Sequence, residues 1–168
     1  VIGPDSNIYA MVGNIEGWMK NSTSTKAQNF ENGTEPDGRA AIIRITQDGK
    51  PVGKGILGDK FPLNLYYAYG IRNSFGLGFD PVSGTLWDTE NGPHFGDEIN
   101  LVEPGFNSGS HEIYGFSHSQ QKFDNNKLVT FEGNGKYSEP KLVWGRTAGL
   151  TSLIFLNSDK LGTQYRND

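Results

Sequence analysis

The chain has 168 residues, with 23 Gly, 8 Pro, 12% aromatic side chains and no Cys. That length supports one domain with a real core, and the Gly and aromatic content suits short strands and tight turns rather than a helical bundle. A formal charge of −4 argues against a nucleic-acid surface, and the lack of Cys excludes disulfides and thiolate metal sites.

Asn7 to Gly13 reads as a strand, entered through the turn Gly3-Pro4-Asp5-Ser6-Asn7. Gly17 to Asp37 is rich in Asn, Ser, Thr and Gly and reads as a long surface loop, carrying glycosylation-type matches at Asn21 and Asn32. Arg39 to Thr46 is the next strand, closed by the hairpin-type turn Gln47-Asp48-Gly49-Lys50. Leu63 to Tyr69 follows as an apolar, aromatic run. Leu77 to Phe79 and Thr85 to Trp87 come next, joined by Asp80-Pro81-Val82-Ser83-Gly84. Glu98 to Val102 is a strand ended by Pro104-Gly105, and Lys127 to Phe131, Lys141 to Trp144 and Leu150 to Phe155 are strand-like. A short helix near Ser158 to Tyr165 is the weakest element.

Strands at roughly ten-residue spacing with turn signals between them form the all-β pattern. About four strands per ~50 residues fits the blade of a β-propeller; a β-sandwich would not predict the long polar loops. Approximate blade units are 1–60, 61–110 and 111–168, forming a single partial domain. No apolar run approaches the length of a membrane span. The opening Val1-Ile2-Gly3-Pro4 and the closing Tyr165-Arg166-Asn167-Asp168 read as cuts through a longer protein, so a fragment is expected.

The chemistry concentrates between Tyr69 and Asn107. Asn91-Gly92-Pro93 is a loop suited to presenting backbone oxygens, because Pro93 has no N–H and pushes Gly92 into extended backbone. Hard cations such as calcium take ligands of this kind, although a plain turn uses the same residues. Asp97 and Glu98 begin a strand, so their side chains leave opposite faces and make a poor general acid/base pair. One of them would instead help hold a cation, against the blander reading of a solvated strand start. Arg72 and Asn73, just before a strand, offer a charged planar fork and an amide suited to an oxygen-rich anion; a surface ion pair is the alternative.

Other chemistries find little support. His111 and His118 lack metalloprotease spacing, and His94 is a weak site candidate for following Pro93. There is no Gly-x-Ser-x-Gly elbow, Gly76-Leu77-Gly78 is not a dinucleotide fingerprint, and Asp124-Asn125-Asn126 lacks the glutamate of an EF-hand loop.

Four stretches together resemble the soluble glucose/sorbosone dehydrogenase family, quinoproteins that use pyrroloquinoline quinone: Val1 to Gly13, Tyr67 to Pro81, Leu86 to Gly109, and Phe155 to Asp168. The wording looks most like archaeal members. The resemblance implies a six-bladed propeller of four-stranded antiparallel blades, of which this chain would span about half. It implies that Gly92 and Pro93 ligate a calcium ion through their carbonyls, with Asn91 beside them at the cofactor. Arg72 and Asn73 would contact the quinone, Arg72 stabilising charge on the reduced cofactor, and Thr147 would fall near a further contact. Asp97 and Glu98 would belong to a neighbouring structural calcium region.

The reaction implied is hydride transfer from a sugar's anomeric carbon to the quinone, with electrons passed to an acceptor. An extracellular, cell-surface or periplasmic setting goes with it. The resemblance also has departures. The catalytic His of relatives lies upstream of Val1, Asn14 stands where an Asp often orients that base, Phe75 replaces a Gln, and Ser110-His111 replaces a Trp-containing sequence. The chain alone is therefore expected to be inactive. The alternative is a non-catalytic, calcium-stabilised extracellular propeller that binds glycans or proteins.

Overall fold

The computed structural model describes residues 1–15, 25–93, 95–109 and 128–166. Among the described residues, nine strands form two sheets: β1 (Ile8–Val12), β2 (Ala41–Ile45), β3 (Tyr66–Tyr69), β4 (Ser74–Phe79), β5 (Leu86–Glu90), β6 (Asp97–Val102), β7 (Phe106–Asn107), β8 (Lys136–Tyr137) and β9 (Leu142–Trp144). The first sheet has the order β1-β2-β3-β7-β8 and the second the order β4-β5-β6-β9. The second sheet is antiparallel throughout, a four-stranded blade as expected. In the first, β7 and β8 add in parallel to the antiparallel β1-β2-β3. The turn at Glu103–Gly105 explains that addition. It carries the chain from β6 across to β3, where the Gly105 N–H donates to Tyr67 O at 2.8 Å.

The sheets pack face to face through side chains at alternate positions, as pleated strands require. Tyr9, Ile42 and Ala68 of the first sheet meet Leu77, Leu86 and Val102 of the second. Tyr9 sits edge-on to both Tyr67 and Phe79, with ring centroids 5.0 Å apart in each pair. A smaller cluster of Ala27, Ala40, Ala41, Tyr66 and Tyr69 covers the other face of the first sheet. Tight turns close the hairpins where the sequence predicts them. Gly49 and Gly84 take φ of +80° and +71°, the left-handed region that glycine enters without steric cost.

Four expectations are corrected. Leu150 to Phe155 is not a strand, because no described strand pairs with it. It lies instead across β4, so close that a Cβ at Gly76 would stand 2.7 Å from Leu153 N. Residues 128–131 of the predicted Lys127–Phe131 strand form no strand and lead into a turn over 131–134, with Phe131 and Glu132 at φ of +49° and +60° and Thr130 O accepting from Gly133 and Gly135. Part of the predicted surface loop is not on the surface, although Glu31, Asn32, Thr34, Glu35 and Asp37 are exposed as expected. Thr25, Ala27, Gln28 and Asn29 are buried, and Lys26–Gln28 forms a 3-10 turn capped by Thr25. The predicted helix near Ser158 resolves into two 3-10 turns, Asp159–Leu161 and Thr163–Tyr165, interrupted by Gly162 at φ +111°.

Candidate cofactor and metal site

The second sheet turns a graded face toward the first. Leu86, Asp88 and Glu90 alternate on one face of β5, and their direct partners on β6 are Val102, Asn100 and Glu98. Apolar residues occupy one end of that face, and buried acids the other. Alternation that should place an aliphatic at each of these positions instead delivers Asp88 and Glu90, a pattern visible in the sequence but passed over there. Both carboxyls are pushed up, first by burial; Asp88 is pushed up further by Glu90, while Ser108 and Arg72 pull Glu90 back down.

Arg72 stands at the acidic end. It is half-buried, its N–H donates to Glu90 Oε1, and its Nη1 donates to Asn91 O at 2.6 Å. Burial lowers its pKa, while Glu90 and Asp97 act to raise it. The surface ion pair is thus overturned: the guanidinium is tied to a main-chain oxygen of the very loop singled out for its carbonyls. Ser108 Oγ donates to Glu90 Oε2 at 2.5 Å and so holds the second carboxylate oxygen. Ser108 and Glu90 are the residues that reading the sequence missed.

Arg72, Glu90, Asn91, Gly92, Gly96, Glu98 and Ser108 together line a cavity of about 10 Å³, the room of a single water or ion. Asn91 Oδ1 is buried without a hydrogen-bond partner, while its Nδ2 donates to Leu150 O at 2.8 Å. The loop is tightly folded: a Cβ at Gly92 would lie 1.8 Å from Phe95 O. Among the described residues no three His, Cys, Asp or Glu side chains converge as a metal shell, so an ion here would draw on neutral oxygens as well.

Asp97 and Glu98 leave opposite faces of β6 as predicted, but both are buried, which overturns the solvated strand start. Asp97 Oδ1 accepts from Gly92 N at 2.9 Å, and Oδ2 accepts from Ala148 N at 2.6 Å and Gly149 N at 2.8 Å. Thr147 and Asn73 are exposed beside these tied segments. Phe75 is 54% exposed at a bulge in β4, and Asn14 is buried with its N–H on Arg72 O at 3.1 Å. His94, Ser110, His111, His118, Asn21 and the Asp124-Asn125-Asn126 segment lie outside the described residues.

Comparison with known proteins gives the family of the chain. Residues 1–168 match the family model described as Glucose / Sorbosone dehydrogenase. The chain is 31% identical over 121 residues to the aldose sugar dehydrogenase YliI of Escherichia coli (strain K12), covering 71% of this chain and 32% of that protein. It is 31% identical over 132 residues to quinoprotein glucose dehydrogenase B of Acinetobacter calcoaceticus, covering 69% of this chain and 26% of that one. Among solved structures, the soluble aldose sugar dehydrogenase of Escherichia coli in its apo-form superposes with a TM-score of 0.65 at 23% identity, covering 95% of this chain and 42% of that one. The PQQ-bound aldose sugar dehydrogenase of Streptomyces coelicolor superposes at 0.56 and 24% identity, covering 92% and 37%. The chain thus spans about a third or less of these curated relatives, and its two sheets are blades of a partial β-propeller. With its full length matched, the chain belongs to the glucose/sorbosone dehydrogenase family.

Proposed function

We propose that the protein containing this chain is a quinoprotein sugar dehydrogenase. It would oxidise an aldose at its anomeric carbon, using pyrroloquinoline quinone and calcium. The observation that carries this reading is the meeting of half-buried Arg72 with the Asn91-Gly92 loop around one ion-sized cavity.

The residues fit both groups. The cavity has the size of an ion and is lined by Asn91, Gly92 and Glu98, and Asn91 Oδ1 is a buried oxygen without a hydrogen-bond partner. In this reading the carbonyls of Gly92, which lines the cavity, and of Pro93, the next residue just outside that lining, ligate calcium. Of the pair Asp97 and Glu98, Glu98 lines the cavity and takes the metal role, because both oxygens of Asp97 already accept backbone N–H groups. A planar, oxygen-rich cofactor is too large for this cavity and would lie on the exposed side, against Asn73 and Thr147. Arg72 suits it because a guanidinium is planar, permanently charged and rich in donors.

When bound, the quinone supplies a two-electron hydride acceptor. The chain's own contribution is to bind and orient: Arg72 sets a fixed positive charge at the cofactor's edge, and Glu90 and Ser108 hold Arg72's backbone in place. The approximate blade units 1–60, 61–110 and 111–168 belong to the same reading; β4, β5 and β6 lie inside the second, while their sheet partner β9 lies in the third. So does the extracellular or periplasmic setting. No described helix is long and apolar enough to cross a membrane.

The test uses the full-length protein, loaded with calcium and quinone and assayed for dye reduction across a sugar panel. Arg72→Ala is expected to lower kcat/KM by about 100-fold or more, the usual effect of removing one placed charge. A wild-type protein that binds no quinone refutes the proposal. If calcium still raises its Tm, the non-catalytic propeller takes its place.

A further inference from the structure

We infer that Asp97 is a positioning residue, a carboxylate clamp that sets the Gly92 loop and the Thr147–Gly149 segment at a fixed distance. The inference rests on the proposed function for what those segments hold, but not for the clamp itself. Its basis is the convergence of three main-chain N–H groups on one fully buried carboxylate, from loops 51 and 52 residues apart on one side and five on the other.

Successive N–H groups of Ala148 and Gly149 point at the same oxygen, an arrangement that backbone turns use to bind anions. Gly149 takes φ +75°, which turns the chain sharply there. On the other oxygen sits Gly92 N–H, from a loop so close-packed that a Cβ would be forced into Phe95 O. Asn91, at the near end of the same loop, adds a further tie through Leu150 O. The result is a stitched pair: one segment carries the proposed calcium carbonyls, the other a proposed quinone contact.

A carboxylate is the side chain this spot requires. It is acceptor-only, and hydrogen bonds to an ionised acceptor are the stronger kind. An amide of the same shape would turn an NH₂ group against at least one N–H donor. Asp97 also has little left for a metal: three of its roughly four lone-pair sites are taken.

The experiment uses the full-length protein. In the wild type, hydrogen exchange at Ala148 and Gly149, both exposed residues, should run about 10-fold or more slower than at exposed Gly145 and Arg146, as expected for amides held by a buried acceptor. Exchange at equal rates overturns the clamp, and this arm needs neither a variant nor a ligand. In Asp97→Asn, calcium stoichiometry should hold at the wild-type value while the quinone Kd rises about 10- to 100-fold. Asp97→Glu should recover part of that loss. Calcium lost with the substitution makes Asp97 a ligand instead, and unchanged quinone affinity removes its positioning role. A wild-type protein that takes up no quinone sinks the functional reading, while the exchange arm still decides the clamp.

Discussion

Replacing Asp88 by Asn should stabilise the protein near neutral pH and remove a defined part of its pH dependence. Asp88 is fully buried in the middle of β5, with Asn100 opposite. Neither of its oxygens has a hydrogen-bond partner; Asn100 and Ser74 lie near enough to favour the charge, but neither completes a bond. Burial, reinforced by Glu90, holds its carboxyl well above the ordinary 3.8. A raised acid is favoured in its protonated form on folding. Its contribution is therefore fully present below the unfolded value and is lost as pH rises through the folded one.

One proton gives a limiting slope of about 1.4 kcal/mol per pH unit. The loss therefore cannot exceed about 4 kcal/mol at pH 7, roughly three units above the unfolded value. Denaturant unfolding of wild type and Asp88→Asn in parallel from pH 4 to 7.5 reads this group together with Glu90, whose charge acts on it, because the remaining titrations cancel in the difference. The variant should gain on the wild type steadily as pH rises. A difference that is flat with pH, or that moves toward the wild type, refutes the reasoning.

Two further substitutions test the packing around the site. Gly76→Ala drives a Cβ to within 2.7 Å of Leu153 N and 2.9 Å of Ser152 C, so the segment after β9 must lift away. A cost of about 1–3 kcal/mol is expected, with a red shift in the emission of Trp87, whose ring now meets Phe155 at 6.3 Å; an unchanged Tm and spectrum would count against that close approach. Ser108→Ala strips Glu90 Oε2 of its 2.5 Å donor inside the protein. It should cost about 1–3 kcal/mol in chemical denaturation, with Ser108→Thr recovering most of it; a change within about 0.5 kcal/mol would mean the carboxylate finds another partner.

The sequence alone was enough for the all-β class, for most strands and for the loops that meet at the candidate site. Period-two alternation and turn residues are local signals. They located Ile8–Val12, Ala41–Ile45, Asp97–Val102 and Leu142–Trp144 to within a residue or two. Arg72, Asn91 and Gly92 were legible because their residue types are costly to explain as simple sheet ends. Burial and partnership were not legible, because both depend on residues distant in the chain.

Leu150 to Phe155 has strand composition but pairs with no strand among the described residues, and a ladder takes two strands. The polar stretch at Thr25–Asn29 gave no sign of being buried, since its hydrogen bonds and packing come from Tyr69–Ile71 and Asn107. Asp97 and Glu98 read as an ambiguous acidic pair. Only the fold separated them, by bringing Ala148 and Gly149 to one carboxylate and the ion-sized cavity to the other. Local pattern sets which elements form; which groups are removed from water, and what they meet there, is decided by the packing of one sheet on another.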